Sequence, residues 1–380
     1  MNQATTKRKL GRLLACLACF SFLSSCSLSK QEAPALKEAS ISEDLKFGSA
    51  NISCSQGEFE ALGFALGDSV DVSFSNGRSY QDVPYYNGYY VRNSSPVLVA
   101  YPSSENILFT LNNEGIWDKA SLSEDCKITV TLAEKGKYLA TQEALGQSYS
   151  LDRGEYLSDE EFCNFRELSG GKMKKGLLYR GASPFDNSRG RASASDALLQ
   201  KEGIKAIVDL ADGEGDMNHY LSDPTYSFPR GEELYREGEV ALLGMGSSYG
   251  PLSYKQSVAE GVRHMLSHEG PYYIHCMEGK DRTGFVCALF EALAGASYSE
   301  MKGDYMQTYA NYYKVSKERT PEKYEAISDL YFDSFCELLH GESGKVELER
   351  ASYEEDAKSY LKEGGLSESE ISSFIKLIRE

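Results

Sequence analysis

Basic residues are the scarce class in this 380-residue chain: 40 Lys and Arg stand against 57 Asp and Glu, a formal net charge of −17. A surface of that sign repels polyanions, so nucleic acid is excluded as a partner, and an anionic lipid surface offers no broad electrostatic attraction. Histidine is scarce too, five in all, and no cysteine and histidine cluster has metal-ligand spacing. No metal and no cofactor are therefore expected. No apolar run approaches the ~20 residues of a membrane-spanning helix, and no internal repeat is found. What is left is a globular composition, 41% hydrophobic and 26% charged, in a chain long enough for two separate cores.

The first residues have their own logic. Lys7-Arg8-Lys9 is basic, and Leu13 to Leu23 is apolar but too short to span a bilayer. It ends in Leu23-Ser24-Ser25-Cys26, which resembles a bacterial lipoprotein box. That resemblance implies a signal peptide over residues 1–25, lipidation of Cys26, and a protein held on the outer side of a bacterial membrane, at the cell surface, by its lipid. Residues 26–46, with scattered Ser, Lys and Glu around Pro34, read as a flexible tether.

Residues 47–150 read as a small β-rich domain, a barrel or sandwich. Val70-Asp71-Val72-Ser73-Phe74 alternates and Asn76-Gly77 signals a hairpin; Tyr85 to Val91, Val97 to Tyr101, Ile107 to Leu111 and Lys127 to Leu132 are further strands. The tyrosines at 80, 85, 86, 89, 90 and 101 fit a β core or sheet surface better than a ligand platform, so the ligand of this domain stays unidentified. Cys54 and Cys126 fall in the same domain, and spacing alone leaves open whether they pair.

Residues 151–380 read as an α/β domain, a parallel-type central sheet flanked by helices. An acidic linker over 151–168 leads into a helix at Ser193 to Glu202, stopped by Gly203, and a buried strand at Ile204 to Leu210. An amphipathic helix covers 253–268, and the remainder, including Ser299 to Tyr313, Pro321 to Leu339 and Tyr353 to Glu380, is helical by period. Leu366-Ser367-Glu368-Ser369-Glu370-Ile371 has capping-box character and starts the last helix.

The chemistry is concentrated in Ile274-His275-Cys276-Met277-Glu278-Gly279-Lys280-Asp281-Arg282-Thr283-Gly284. Tyr272 to Ile274 suits a buried strand, and Phe285, Val286, Leu289, Phe290 and Leu293 suit a helix packed on a sheet. Cys276 then lies where a strand ends and a helix begins. Unpaired backbone N–H groups and the positive end of the helix dipole make that junction a nest for a phosphate dianion. The same field favours a thiolate, the nucleophilic form. Arg282 offers two phosphoryl oxygens a planar fork of donors. Thr283 is placed to hydrogen-bond the sulfur as it leaves, and His275 to hold the loop rather than act as a base.

His275 to Gly284 resembles the signature of the cysteine-dependent protein tyrosine phosphatase superfamily, and Gly279-Lys280-Asp281-Arg282-Thr283-Gly284 resembles its bacterial dual-specificity and lipid-phosphatase-like branch. Asn164-Phe165-Arg166-Glu167-Leu168 followed by Gly176 to Ala182 resembles the opening of that branch's catalytic domain. Ala206 to Leu210 is similar to a strand end of the family, although Ala211 stands where the family usually has Arg. The resemblance covers about 160 to 380. It implies a phosphatase that hydrolyses phosphate monoesters through a cysteinyl-phosphate, with Cys276 as nucleophile; the lipoprotein box makes it an exported one. Met277, Glu278, Gly279, Lys280, Thr283 and His275 would form the binding loop with Arg282, and Arg180 would line the pocket.

A general acid is needed to release the alcohol. Asp281 is favoured by the resemblance; Asp209, at a strand end, competes with it, and Asp212 and Asp216 are loop-borne candidates. Lys280 either pairs with Asp281 or holds a second phosphate, and Arg166 either lines the pocket or pairs with Glu167. Phosphorylated protein, phosphoinositide and inositol phosphate all stay open as substrates. Sulfur transfer from an activated cysteine fits Arg282 and Thr283 less well. The rival from another class is a cell-surface protein that binds a phosphorylated ligand or polymer without turnover.

Overall fold

Strand-forming alternation and turn chemistry build the first half. In a computed structural model describing residues 33–380, except 46–47, 93, 103, 113, 247 and 342–344, seven strands close into a barrel. They are β1 (Ala35–Asp44), β2 (Ser49–Ile52), β3 (Ser69–Phe74), β4 (Ser79–Tyr86), β5 (Pro96–Val99), β6 (Ile107–Leu111) and β7 (Lys127–Glu134), in the order β1-β2-β6-β5-β4-β3-β7. Val70, Val72 and Phe74 point inward, while Asp71 and Ser73 stay outside the core. Gly77, at φ +89, turns β3 into β4 at the expected hairpin.

Two expectations for this half are corrected. Ala35–Asp44 is not a tether: Ile41 is buried and the segment pairs with both β2 and β7, closing the barrel. The strand expected over Tyr85 to Val91 ends at Tyr86, because Asn87-Gly88 breaks the ladder. Residues 87–95 then cross back so that β5 lies parallel to β4, the one parallel neighbour in the described barrel. Cys54 and Cys126 are both buried and free. Cys26, the expected lipidation site, lies outside the described residues.

The second sheet has five strands: β8 (Arg166–Glu167), β9 (Leu178–Ala182), β10 (Ala206–Asp209), β11 (Val240–Leu242) and β12 (Tyr272–Cys276), in the order β11-β10-β12-β9-β8. Four are mutually parallel and β8 is an antiparallel edge, so the expected parallel sheet is a mixed one. The region expected as an acidic linker, 151–168, carries β8 and buries Tyr156, Phe162, Cys163 and Phe165 against the sheet.

The principal helices are α1 (Ala192–Lys201), α2 (Leu252–Ser267), α3 (Asp281–Leu293), α4 (Tyr298–Tyr313), α5 (Asp333–His340), α6 (Glu354–Glu363) and α7 (Glu368–Ile378). In α3 every residue from Thr283 to Leu293 is buried, as befits a helix that is mostly apolar and enclosed by others. α2, α4 and α6 pack around it and the sheet. The capping box of α7 is formed by Ser367 and Glu370, as the sequence predicts. The helix expected over 321–339 is interrupted by a π-helical turn, Ser328–Phe332. From Pro34 to Glu380 the chain packs as one unit.

Candidate active site

β12 delivers Cys276 to the C-terminal edge of the sheet, and α3 begins at Asp281. Between them the chain turns so tightly that Gly279 adopts φ +62, and a Cβ there would lie 2.2 Å from the carbonyl oxygen of Gly181. Only glycine lets the loop rest on β9 in this way.

The loop's carbonyls are directed away from the nest by donors from elsewhere in the chain. Gly279 O accepts from Asn164 Nδ2 at 2.9 Å and from Arg180 Nη2 at 2.8 Å. Glu278 O accepts from the Tyr312 hydroxyl at 2.8 Å, and Met277 O from the Ser183 amide at 3.1 Å. With their oxygens tied down, the intervening amides are left for an anion. Cys276 is buried except for a 4% exposed sliver. Arg282 is aimed by a hydrogen bond, Nη1 donating to Met245 O at 2.7 Å. The Thr283 hydroxyl is buried with no hydrogen-bond partner among the described residues, which leaves it available to a sulfur or phosphoryl group.

Arg180 does not line the pocket. It is fully buried, and its guanidinium joins Gly279 O to the Asp304 carboxylate. Arg166 binds the same carboxylate through Nε at 2.5 Å, so its partner is Asp304 and not Glu167. Glu167 instead accepts from the Gly176 amide. Burial raises the Asp304 carboxyl, but the two guanidinium groups outweigh it and leave the group below the ordinary carboxylate range. Lys280 is likewise engaged: its ammonium lies 3.7 Å from Glu278, 3.8 Å from Asp281 and 3.4 Å from the Tyr313 hydroxyl. Burial works against its charge, yet Asp281, Tyr313 and Glu278 together hold it well above the usual lysine value. The Glu278 carboxylate pairs with Arg189 as well, at 3.3 Å. The side chains of Glu278 and Lys280 are thus tied to each other, and Met277 is exposed.

The acidic candidates separate by environment. Asp209 is fully buried, and its Oδ1 accepts from the amides of Ala211 (2.8 Å) and Asp212 (3.1 Å), which folds the chain after β10. Burial pushes it up to about 6. Asp212, beside it, is pushed up to about 7 by burial and then by Asp209. His275, 3.8 Å from Asp209, is brought down to about 4 by burial and is neutral near pH 7. Asp216 is exposed and caps the Gly213 amide at 2.9 Å, a helix-starting role. Asp281 is the exposed carboxyl of the loop, half open to solvent and facing a cavity of about 460 Å³.

Asn164, Tyr312, Asp304 and Met245 were not singled out as site residues from the sequence. Asn164 lay inside the Asn-Phe-Arg block; Asp304, Tyr312 and Met245 sit in ordinary helix and loop stretches with no local signature. Among the described residues no group of three or more His, Cys, Asp or Glu side chains is placed to hold a metal ion.

The model of a tyrosine phosphatase family matches residues 157–379. A protein of Cupriavidus necator named putative tyrosine-protein phosphatase is 26% identical over 176 residues, covering 40% of this chain and 62% of its own length. The match thus spans less than two thirds of that relative. Among solved structures, the core catalytic domain of the PP-IP phosphatase SIW14 from S. cerevisiae, in complex with citrate, aligns at 18% identity over 47% of this chain and 91% of its own, with a TM-score of 0.27. An uncharacterized conserved protein from Thermotoga maritima aligns at 15% identity over 24% of this chain and 35% of its own, with a TM-score of 0.22.

Proposed function

The chain belongs to the tyrosine phosphatase family, and from that premise we propose that it hydrolyses phosphate monoesters, phosphotyrosine in a peptide foremost, through a phosphate carried on Cys276. The observation that carries this reading is the loop itself: Cys276 at the strand end, carbonyls tied outward, and Arg282, in the first turn of the helix that follows, held by Met245 O. The Cys276 sulfur attacks phosphorus, the P–O bond to the alcohol breaks, and the departing oxygen takes a proton from Asp281. Water then attacks phosphorus and returns that proton to Asp281, the S–P bond breaks, and inorganic phosphate leaves. Arg282 and the loop amides hold the non-bridging oxygens throughout. Asp281 is preferred to Asp209 because its carboxyl is accessible, whereas the Asp209 carboxyl is buried and folds a turn.

Engagement of Lys280 by Glu278, Asp281 and Tyr313 supports a substrate with one phosphate over an inositol polyphosphate, because this lysine is not left to meet a second phosphate. Phosphate release is to be measured without metal, under reducing conditions, from a phosphotyrosine peptide, a phosphoinositide and an inositol polyphosphate. Turnover should fall by at least about 10³-fold in Cys276→Ser. Asp281→Asn should slow the phosphotyrosine peptide by about 10²-fold and 4-nitrophenyl phosphate far less, since nitrophenolate departs without a proton. Ligand binding by native protein with no turnover of any substrate would replace this reading by that of a phospho-ligand binding protein. Export with lipidation at Cys26 belongs to the same proposal. Fatty-acid labelling in a bacterial host, lost in Cys26→Ala, tests it.

A further inference from the structure

The barrel's tyrosines divide into two sets. Tyr85 is buried in the barrel core, whereas Tyr86 is buried outside it against Tyr90, and Tyr89 and Tyr90 sit on the crossing segment between β4 and β5 and meet the phosphate loop's surroundings. Tyr89 and Arg92 line the cavity of about 460 Å³ together with Lys280, Asp281, Tyr249 and Tyr331. Tyr90 borders a second cavity of about 260 Å³, which also reaches Lys280, and Tyr90 and Lys280 interact electrostatically. A single lysine of the loop therefore faces the barrel through two adjoining spaces.

The crossing segment is fixed in place. Asn112 Nδ2 donates to Val91 O at 2.6 Å, and the Ser94 amide donates to Asn112 O at 2.8 Å, tying the segment to the end of β6. Arg92 Nη1 binds both carboxylate oxygens of Glu337 on α5, at 2.6 and 2.8 Å, which anchors it to the catalytic half.

From this arrangement we infer that the β4–β5 segment of the barrel is the outer wall of a substrate subsite beside the phosphate loop, and that the subsite takes the peptide residues flanking phosphotyrosine. The inference rests on the phosphatase reading above. Asp281 marks this side as the one from which the alcohol departs, so the chain bearing the phosphate must continue into the cavity. Its volume exceeds what a phenol ring needs and lies in the range of sites that enclose small molecules. Tyr89, Tyr249, Tyr305, Tyr331 and Phe335 are among its lining residues, and its two cations are already matched, Arg92 by Glu337 and Lys280 by Glu278 and Asp281. Such a surface suits neutral and apolar side chains next to the phosphorylated residue and disfavours a polyanion.

The test compares kcat/KM for a phosphotyrosine peptide with apolar flanks against 4-nitrophenyl phosphate, which has no flanks. Tyr89→Ala should lower the peptide-to-nitrophenyl ratio about tenfold. Arg92→Ala, whose side chain is on the surface, should lower it in the same direction by releasing the wall, and thermal melting confirms that both variants fold. Peptide affinity should weaken about tenfold between Cys276→Ser and Cys276→Ser/Tyr89→Ala. A normal ratio and unchanged affinity in both variants overturn the subsite while leaving the phosphatase reading intact. Absence of turnover by native protein, with peptide binding still weakened by Tyr89→Ala, overturns the catalytic reading and keeps the subsite.

Discussion

Two clusters of buried ionisable side chains flank the phosphate loop, and they solve the problem of burial in opposite ways. On the β9 side, Asp304 is matched by Arg166 and Arg180, and Arg180 with Asn164 holds Gly279 O. On the β10 side, Asp209, Asp212 and His275 lie together with no Lys or Arg in hydrogen-bond contact among the described residues. The first cluster stays charged, because each Asp304 oxygen accepts from a guanidinium. The second carries less charge than its three ionisable groups could, because burial raises Asp209 and Asp212 above the ordinary carboxylate range and leaves His275 uncharged. Burying charge thus buttresses the loop on one flank only.

Breaking the charged flank should have the largest effect. Asp304→Ala strands two buried guanidinium groups and should cost about 3–5 kcal/mol, measured by denaturant unfolding. An unfolding free energy within 1 kcal/mol of native, on the order of experimental scatter, would show that the network is not what holds this flank. Next comes Asn164→Ala, which removes a donor to Gly279 O and places alanine at φ +52. A loss of about 2–4 kcal/mol is expected from the unmet buried groups and the strained backbone.

The β10 flank should respond in the other direction. Because the Asp212 carboxyl is raised from 3.8 to about 7, native protein retains a proton that unfolded chain has released between those values. Stability from this group is therefore present at low pH and lost as pH rises towards 7. Asp212→Asn keeps an N–H donor beside Asp209 and has nothing to ionise. Its stability relative to native should improve by on the order of 2 kcal/mol more at pH 8 than at pH 5, read from melting curves at the two values; an equal shift at both would contradict the assignment. The smallest effect belongs to the barrel contact: Arg92→Ala, an exposed pair with Glu337, should change unfolding free energy by less than about 1 kcal/mol even though it alters peptide preference.

The phosphate loop was legible because its chemistry is contiguous: Cys276 and Arg282 lie in one strand-loop-helix unit, and residue type and spacing suffice to read it. The barrel strands and α7 were legible for a similar reason, since alternation and a capping box are local. The tether reading failed because Ala35–Asp44 looks polar, yet it gains its ladder from β2 and β7, far along the chain. Lys280 invited a second phosphate only while its neighbours were unknown. Arg180 was visible in a motif, but its direction was not.

What the sequence by itself determined is therefore the reactive unit: a cysteine at a strand end, a helix start behind it, and a glycine where the turn requires one. What only the tertiary structure decided is which charges meet. Asn164 reaches Gly279 across 115 positions and Arg166 reaches Asp304 across 138, and the barrel's β4–β5 segment arrives beside Lys280 from much further away. Local propensity fixes an element's form within a few residues, whereas hydrogen bonds and ion pairs between distant side chains exist only once packing has brought their donors and acceptors into range and removed the water between them.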